Sequence, residues 1–298
     1  MEKSIAMLKN LALTATVFTL GGCSAVAPGT WNLSPQGQAN HIAPAADDAQ
    51  QCRALLERQI EQHDPLISDT NVLNPADIQL VNWNIQKGKQ TGWQADLRQL
   101  GDGSQLILIQ EAALQPELIN IEGLASFWSF APGYRSEEAQ TGVMTFSSVE
   151  PISHCQLTDR EPWLRTPKAT SITEYRLADS TETLVVVNIH AINFTIGVKE
   201  YGQQMARISD ILANHSGPMI VSGDFNSWRG AREKRLNRLV AKLDLRALEF
   251  AEDNRTHVFG RPIDHIYVRG LETVTSVARA VTSSDHNPMK VSLAMANQ

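Results

Sequence analysis

The chain has 298 residues, 42% of them apolar and 19% charged, which excludes a disordered, collagen-like or coiled-coil protein. Lys plus Arg number 26 and Asp plus Glu 32, and the resulting charge of −6 excludes a polybasic nucleic-acid binder held by phosphate neutralisation. Three cysteines with no C-x-x-C pair exclude a disulfide scaffold and a thiolate zinc site, so oxygen and nitrogen remain as ligands.

The first stretch has the three-part pattern of an export signal: Lys3 and Lys9, then an apolar run from Leu11 to Leu20, then Gly21, Gly22 and Cys23. The run is too short to span a bilayer as a mature helix. Leu20-Gly21-Gly22-Cys23 resembles the lipobox of bacterial lipoproteins. Residues 1–22 are therefore expected to be a cleaved leader, with a lipid on Cys23 holding the protein to a membrane on its periplasmic side. A true start further downstream would instead make the protein cytoplasmic and favour a nucleic-acid substrate. Residues 23–76, rich in Ala, Pro, Gly, Gln and Asn, read as a tether. Within it, Cys52 to His63 carries Leu55, Leu56, Gln59 and Ile60 at helical spacing and is suited to docking on the main body. Cys52 and Cys155 are read as two free thiols, one of them buried, with a disulfide as the alternative in an oxidising compartment.

Residues 77–298 form the globular part. Short β-branched runs separated by Gly, Pro and helical stretches predict buried strands in a mixed α/β arrangement. Four runs end on ligand-type residues: 78–83 leads into Asn84, 106–110 into Glu111, 184–189 into His190 and 219–223 into Asp224. A fifth run, 263–268, contains Asp264, and the turn Ser283 to Pro288 sets Asp285 beside His286. Sites in open sheets collect at the carboxyl ends of strands, so these residues are expected at one rim. Helices are predicted over 199–214, with Tyr201, Met205, Ile208 and Leu212 on one face, and after Asn226, with Leu236, Leu239, Val240 and Leu243 on one face.

Asn and carboxylate oxygens suit a hard divalent cation such as Mg²⁺. A buried Asp bonded to one imidazole nitrogen raises the basicity of the other and allows it to deprotonate water. The chain contains no G-x-x-x-x-G-K-[ST], G-x-G-x-x-G, H-E-x-x-H or G-x-S-x-G motif.

VNWNIQK, LILIQEA, VNIHAIN, SGDFNSW, RPIDHIYV and SSDHNPM match in order the motif series of the endonuclease/exonuclease/phosphatase superfamily, which includes deoxyribonuclease I and neutral sphingomyelinases. Within it the chain looks like the small bacterial YafD-like branch. The resemblance implies an α/β (α+β) fold of the deoxyribonuclease I type, a four-layer sandwich of two mixed β-sheets flanked by helices. It also implies roles. Glu111 and Asn84, assisted by Asp285, would hold Mg²⁺, with Mn²⁺ as a substitute. His286 would be the general base, oriented by Asp264. Asp224 would position water or the leaving group, and Asn226 would contact the phosphate. His190 would contact the phosphate and protonate the departing oxygen, and Asn193 would be a further phosphate contact.

Other residues carry blander readings. His265 is expected to face away from Asp264 and serve packing or a supporting contact, while His41, His63, His154, His215 and His257 read as surface histidines. Arg229, Arg232, Lys234, Arg235 and Arg238 give the helix after Asn226 a basic face, and Arg165 and Lys168 lie between motifs.

Three functions fit. One is a metal-dependent phosphoesterase acting as a monomer on a small molecule, lipid headgroup or nucleic acid, with a nuclease as its narrower form. The others are a binding module that keeps the fold, and a structural envelope lipoprotein.

Overall fold

A computed structural model describes residues 39–58, 70–137 and 139–296. The leader, Cys23, Gln59, Ile60 and His63 lie outside these residues. No helix among the described residues is long and apolar enough to cross a membrane.

The chain runs β1 (Asn40–Ile42), α1 (Ala49–Glu57), β2 (Ile78–Asn84), α2 (Trp93–Gly101), β3 (Leu106–Ala113), α3 (Pro116–Ile119), β4 (Phe127–Arg135) and β5 (Gln140–Ser147). It continues through β6 (Ser153–Arg160), β7 (Pro167–Arg176), β8 (Thr183–His190), α4 (Lys199–Leu212), β9 (Met219–Asp224) and α5 (Gly230–Lys242). The remaining strands are β10 (Arg246–Ala247), β11 (Glu252–Asp253), β12 (His257–Val258), β13 (Arg261–Pro262), β14 (Asp264–Arg269), β15 (Leu271–Ala278) and β16 (Met289–Met295).

Among the described residues, an eight-stranded sheet has the order β1-β4-β5-β3-β2-β16-β15-β11 and a six-stranded sheet the order β10-β14-β9-β8-β7-β6, while β12 and β13 form a separate antiparallel ribbon; the two large sheets build the body. Both are mixed: β2 pairs parallel with β3 and β8 with β9, while β16 pairs antiparallel with β2 and β14 with β9. The sheets pack face to face through Leu80, Leu108, Val186, Ile220 and Ile266. The six-stranded sheet's outer face is covered by α4, α5 and α1 through Val185, Val187, Met205, Ile208, Leu236 and Leu56. The other sheet's outer face is covered by α2 and α3 through Val81, Ile107, Trp93, Leu97 and Leu118. This is the four-layer sandwich.

Each central strand thus buries both faces, which explains its unbroken apolar sequence. Side chains alternate between faces, so even-numbered residues of β2, β8, β9 and β14 enter the layer between the sheets. That layer changes character along its length. On β8 it reads Leu184, Val186, Asn188, His190; on β2 it reads Ile78, Leu80, Asn82, Asn84; on β9 it reads Ile220, Ser222, Asp224. Apolar side chains give way to amides and hydroxyls, and these to ionisable groups.

Part of the stretch read as a tether is ordered. β1 pairs parallel with β4. Helix α1, capped by Asp48 whose Oδ1 accepts from the N–H groups of Gln50 and Gln51, buries Cys52 and Leu56. Cys52 and Cys155 form a disulfide with a Cα–Cα distance of 5.7 Å, which corrects the expectation of two free thiols. A three-residue strand and a long-range crosslink leave almost no periodic signal in sequence, which is why composition alone suggested a linker. The same segment covers β6: Ala45 N–H donates to the carbonyl of His154, which is buried rather than at the surface as expected.

Candidate active site

Three adjacent strands set the first ionisable groups side by side. His190 lies opposite Asp224 across β8 and β9, and Asp264 lies opposite Asp224 across β9 and β14. Gly223 makes this possible: its φ is +146°, and a Cβ there would sit 2.0 Å from the carbonyl oxygen of Ile189. The turn before β16 is pinned on β2 from the other sheet. Trp83 Nε1 donates to the carbonyl of His286 at 2.8 Å, and Ser284 Oγ donates to the carbonyl of Asn84 at 2.7 Å. His286 is thereby delivered to Asp264, with Nδ1 and Oδ2 2.8 Å apart.

Asp224 is the hub. Its Oδ2 accepts from Asn84 Nδ2 at 3.1 Å and lies 3.6 Å from His190 Nε2 and 4.0 Å from His286 Nε2. Its Oδ1 accepts from the N–H of Asn226 at 2.9 Å. Glu111 reaches the cluster through a break in the strand pattern. The pairing of β3 with β5 shifts between Ile109 and Ala112, and Glu111 has φ +47°. This bulge turns the carboxylate out of the ladder, so that Oε1 lies 4.0 Å from His190 Nε2 and Oε2 3.8 Å from Lys87 Nζ. Beneath the cluster, Gln110 Nε2 donates to Asn82 Oδ1 at 2.9 Å and to Asn188 Oδ1 at 2.7 Å, locking the two sheets together.

Burial and carboxylate charge set the protonation states. Burial pushes Asp224 up to about 6, only partly offset by the charge of His286. Burial opposes charging of His286, but Asp264, Asp224 and Asp285 outweigh it and push the imidazole up to about 10. His190 is driven well below its ordinary value, by burial first and then by Lys168 and His286. At neutral pH the site thus holds a charged imidazole on Asp264 and a neutral one between Asp224 and Glu111.

The sequence-predicted residues are not placed alike. Asn84, Glu111, His190, Asp224, Asp264 and His286 converge. Asn226 borders them, its Nδ2 donating to the carbonyl of Ala191 at 3.0 Å. Asp285 is exposed at the edge, where its Oδ2 accepts from Gln86 Nε2 at 3.0 Å. Asn193 is turned to Trp228, whose Nε1 donates to Asn193 Oδ1 at 2.9 Å. His265 supports from behind, 2.8 Å from Ser227 Oγ. Arg232 is no part of an exposed basic face: it is buried, lies over the rings of Tyr201 and Trp228, and donates to the carbonyl of Ile192.

Lys168, on β7, gains in importance. Its Nζ is 2.8 Å from His190 Nε2, and it shares a pocket with Lys87, Glu111, Tyr134, Thr141 and His190. Burial lowers its pKa. Its position between motifs gave only a faint signal, and Lys87 was visible inside VNWNIQK without an assigned role. Two cations and a neutral imidazole around one carboxylate suit an anion bound beside Glu111.

The donor set fits a hard divalent cation. Glu111 lines the pocket with Oε1 toward His190 and Oε2 toward Lys87, and Asn84, whose Nδ2 donates to Asp224, offers Oδ1, which accepts from the N–H of Gln86 at 3.1 Å. Asp224, Asp264 and His286 also offer three ligand atoms within 4.8 Å of one another. In that second cluster the Asp264 to His286 bond engages two of the three residues, leaving Asp224 Oδ2 and His286 Nε2 facing one another.

A fold of two packed mixed sheets with Asp, His, Asn and Glu gathered at one end of the inter-sheet layer defines a class of phosphoester hydrolases. The endonuclease/exonuclease/phosphatase family model matches residues 29–286, and the chain belongs to this family. It is 39% identical over 229 residues to a UPF0294 protein of Klebsiella pneumoniae (strain 342), spanning 76% of this chain and 83% of that protein. Among solved structures it resembles an endonuclease/exonuclease/phosphatase from Beutenbergia cavernae DSM 12333, with TM-score 0.61 and 14% identity over 74% of this chain and 72% of that one. It also resembles the human Nocturnin catalytic domain with bound sulfate, with TM-score 0.55 and 15% identity over 76% of this chain and 96% of that one.

Proposed function

We propose that the protein is a divalent-metal-dependent phosphoesterase that cleaves a phosphodiester or phosphomonoester with water activated by the Asp264–His286 pair. The observation that carries this reading is the alignment of Asp264 Oδ2, His286 and Asp224: Nδ1 is held at 2.8 Å and Nε2 faces Asp224 Oδ2 at 4.0 Å, a gap wide enough for a water to bridge.

Glu111 and Asn84 would hold Mg²⁺ or Mn²⁺, with Asp285 contributing from the edge. The bound ion supplies a Lewis acid for a phosphoryl oxygen and offsets the carboxylate field. With that field offset, the His286 ring, held through Nδ1 by Asp264, would lose its proton and could then accept one from water at Nε2. Asp224 Oδ2 holds that water in line for attack. Lys168, Lys87 and Asn226 would surround the phosphate oxygens, and the Lys168 ammonium, 2.8 Å from the neutral His190 ring, would supply the proton that a departing oxygen needs.

The protein is further read as a monomer anchored through Cys23 and facing the periplasm. The Cys52–Cys155 disulfide supports an oxidising compartment. The test is hydrolysis of bis-p-nitrophenyl phosphate, p-nitrophenyl phosphate, RNA, plasmid DNA and phospholipid vesicles by the purified full-length chain with Mg²⁺, Mn²⁺ or chelator. Turnover that needs the metal and fails with Glu111→Gln supports the reading, and metal-independent turnover contradicts it. A readout separate from turnover is thermal stability. At about 100 times its Kd the ion should stabilise the wild type by about 2.7 kcal/mol, and much less with Glu111→Gln.

A further inference from the structure

Among the described residues, the exposed large apolar side chains are Tyr134, Trp163, Leu164, Phe194, Ile196 and Phe259, together with Val274 and Val277 on β15. The first six are not scattered. Tyr134 is in the β4–β5 hairpin, Trp163 and Leu164 in the β6–β7 loop, Phe194 and Ile196 in the β8–α4 loop, and Phe259 in the β12–β13 ribbon.

These loops are joined around the mouth of the site. Tyr134 lines the same pocket as Glu111, Lys168 and His190. Buried Glu161, at the start of the β6–β7 loop, accepts through Oε1 from the N–H groups of Asn193 and Phe194 at 2.9 and 3.0 Å. Trp228 donates to Asn193, and its ring lies 5.9 Å from that of Phe259. Arg229 lies over the Trp228 ring and donates to the carbonyl of Gly197. The rim is therefore a braced row of loops, with Leu164 63%, Ile196 72% and Phe259 84% exposed at its tips.

We propose that this rim is a bilayer-docking surface and that the substrate is the phosphate ester of a membrane lipid headgroup, an inference that rests on the phosphoesterase reading above. Exposed Arg135 and Arg165 follow directly on Tyr134 and Leu164 and place cations beside two of the apolar tips, with exposed Glu137 the acidic group in the same hairpin, a pairing that suits an anionic lipid interface although the whole chain carries −6. Tyr134, Trp163, Phe194 and Phe259 could stack on bases, but Leu164 and Ile196, two of the more exposed tips, have no ring to do so and fit an acyl-chain boundary better. The apolar groups are spread over four separate loops and form no continuous apolar core, which disfavours a second protein surface.

The experiment compares the full chain carrying Cys23→Ala with the same chain also carrying Trp163→Ser, Leu164→Ser, Ile196→Ser and Phe259→Ser, all outside the catalytic cluster. Co-sedimentation is measured with vesicles of phosphatidylcholine alone and of phosphatidylcholine mixed with phosphatidylglycerol, alongside headgroup release and hydrolysis of bis-p-nitrophenyl phosphate. The expected result is stronger binding to the anionic vesicles. The four serines should weaken that binding and headgroup release at least tenfold, with soluble diester hydrolysis unchanged. Equal vesicle binding by both chains overturns the proposal. So does headgroup release that is absent while the soluble diester is cleaved, or a dimer in sedimentation velocity that the serines dissolve. Failure of the phosphoesterase reading looks different: neither soluble ester nor headgroup is cleaved, while vesicle binding still reports on the rim alone.

Discussion

The two faces of strand β8 differ in a way that explains the molecule. Outward, Val185, Val187 and Ile189 pack under α4 and stay apolar to the strand's end. Inward, Leu184 and Val186 pack against the other sheet, but Asn188 and His190 follow. The same holds across β2, where Val81 and Trp83 face α2 while Asn82 and Asn84 face the inter-sheet layer. The outer layers are devoted to stability. The inner layer gives up apolar burial over its last two positions and places chemistry there, with the Gln110–Asn188 amides as the transition between the two regimes.

The comparison breaks most sharply under substitution. His286→Ala is expected to lower ester hydrolysis by about 10²- to 10⁴-fold, the range for loss of a general base, with the circular dichroism spectrum retained. On the outer face, Ile208→Ala should cost about 2–5 kcal/mol in denaturant unfolding and leave kcat at 25 °C unchanged. A fall in kcat for Ile208→Ala larger than that for His286→Ala would show that the two faces do not divide the labour. Between these lies the disulfide. Cys52→Ser with Cys155→Ser should destabilise by about 2–4 kcal/mol and make the α1 segment protease-sensitive, again without a change in kcat.

A smaller effect appears in the pH dependence of stability. Burial lowers His154 to about 4 and His265 to about 3, so the unfolded chain takes up protons near pH 6.5 that the folded chain refuses. Stability is then lost as pH falls from about 6.5 toward 3, by up to about 1.4 kcal/mol per pH unit for each group. Asp224, raised to about 6, opposes this in part. His286 works on the alkaline side: its contribution is complete below about 6.5 and is lost as pH rises through about 10. In metal-free buffer the melting temperature should therefore peak near neutrality, and His154→Leu should flatten the acid limb. A melting temperature that climbs steadily down to pH 4 would contradict the assignment of buried, neutral histidines.

Much of this architecture was readable in the residues. Strands β2, β3, β8 and β9 announced themselves because burial on both faces leaves runs with no polar interruption, and each run ended on a residue that the structure brings to the cluster. What sequence could not show was whatever depends on distant partners. The β1 segment and α1 owe their order to β4, β6 and a crosslink 103 residues away. His154 is buried because that segment covers it. The side-chain oxygen of Asn193 accepts from Trp228, a contact set by two loops meeting. Glu111 faces the site through a bulge, whereas simple alternation would have sent it to the outer layer.

The measurement that tests the division of the two faces most directly is Mg²⁺-dependent hydrolysis of bis-p-nitrophenyl phosphate by the wild type, His286→Ala and Ile208→Ala, at a temperature where all three are folded. Wild type and Ile208→Ala should turn over alike, with His286→Ala slower by at least about 100-fold. Equal rates for wild type and His286→Ala would place the chemistry elsewhere and contradict the account.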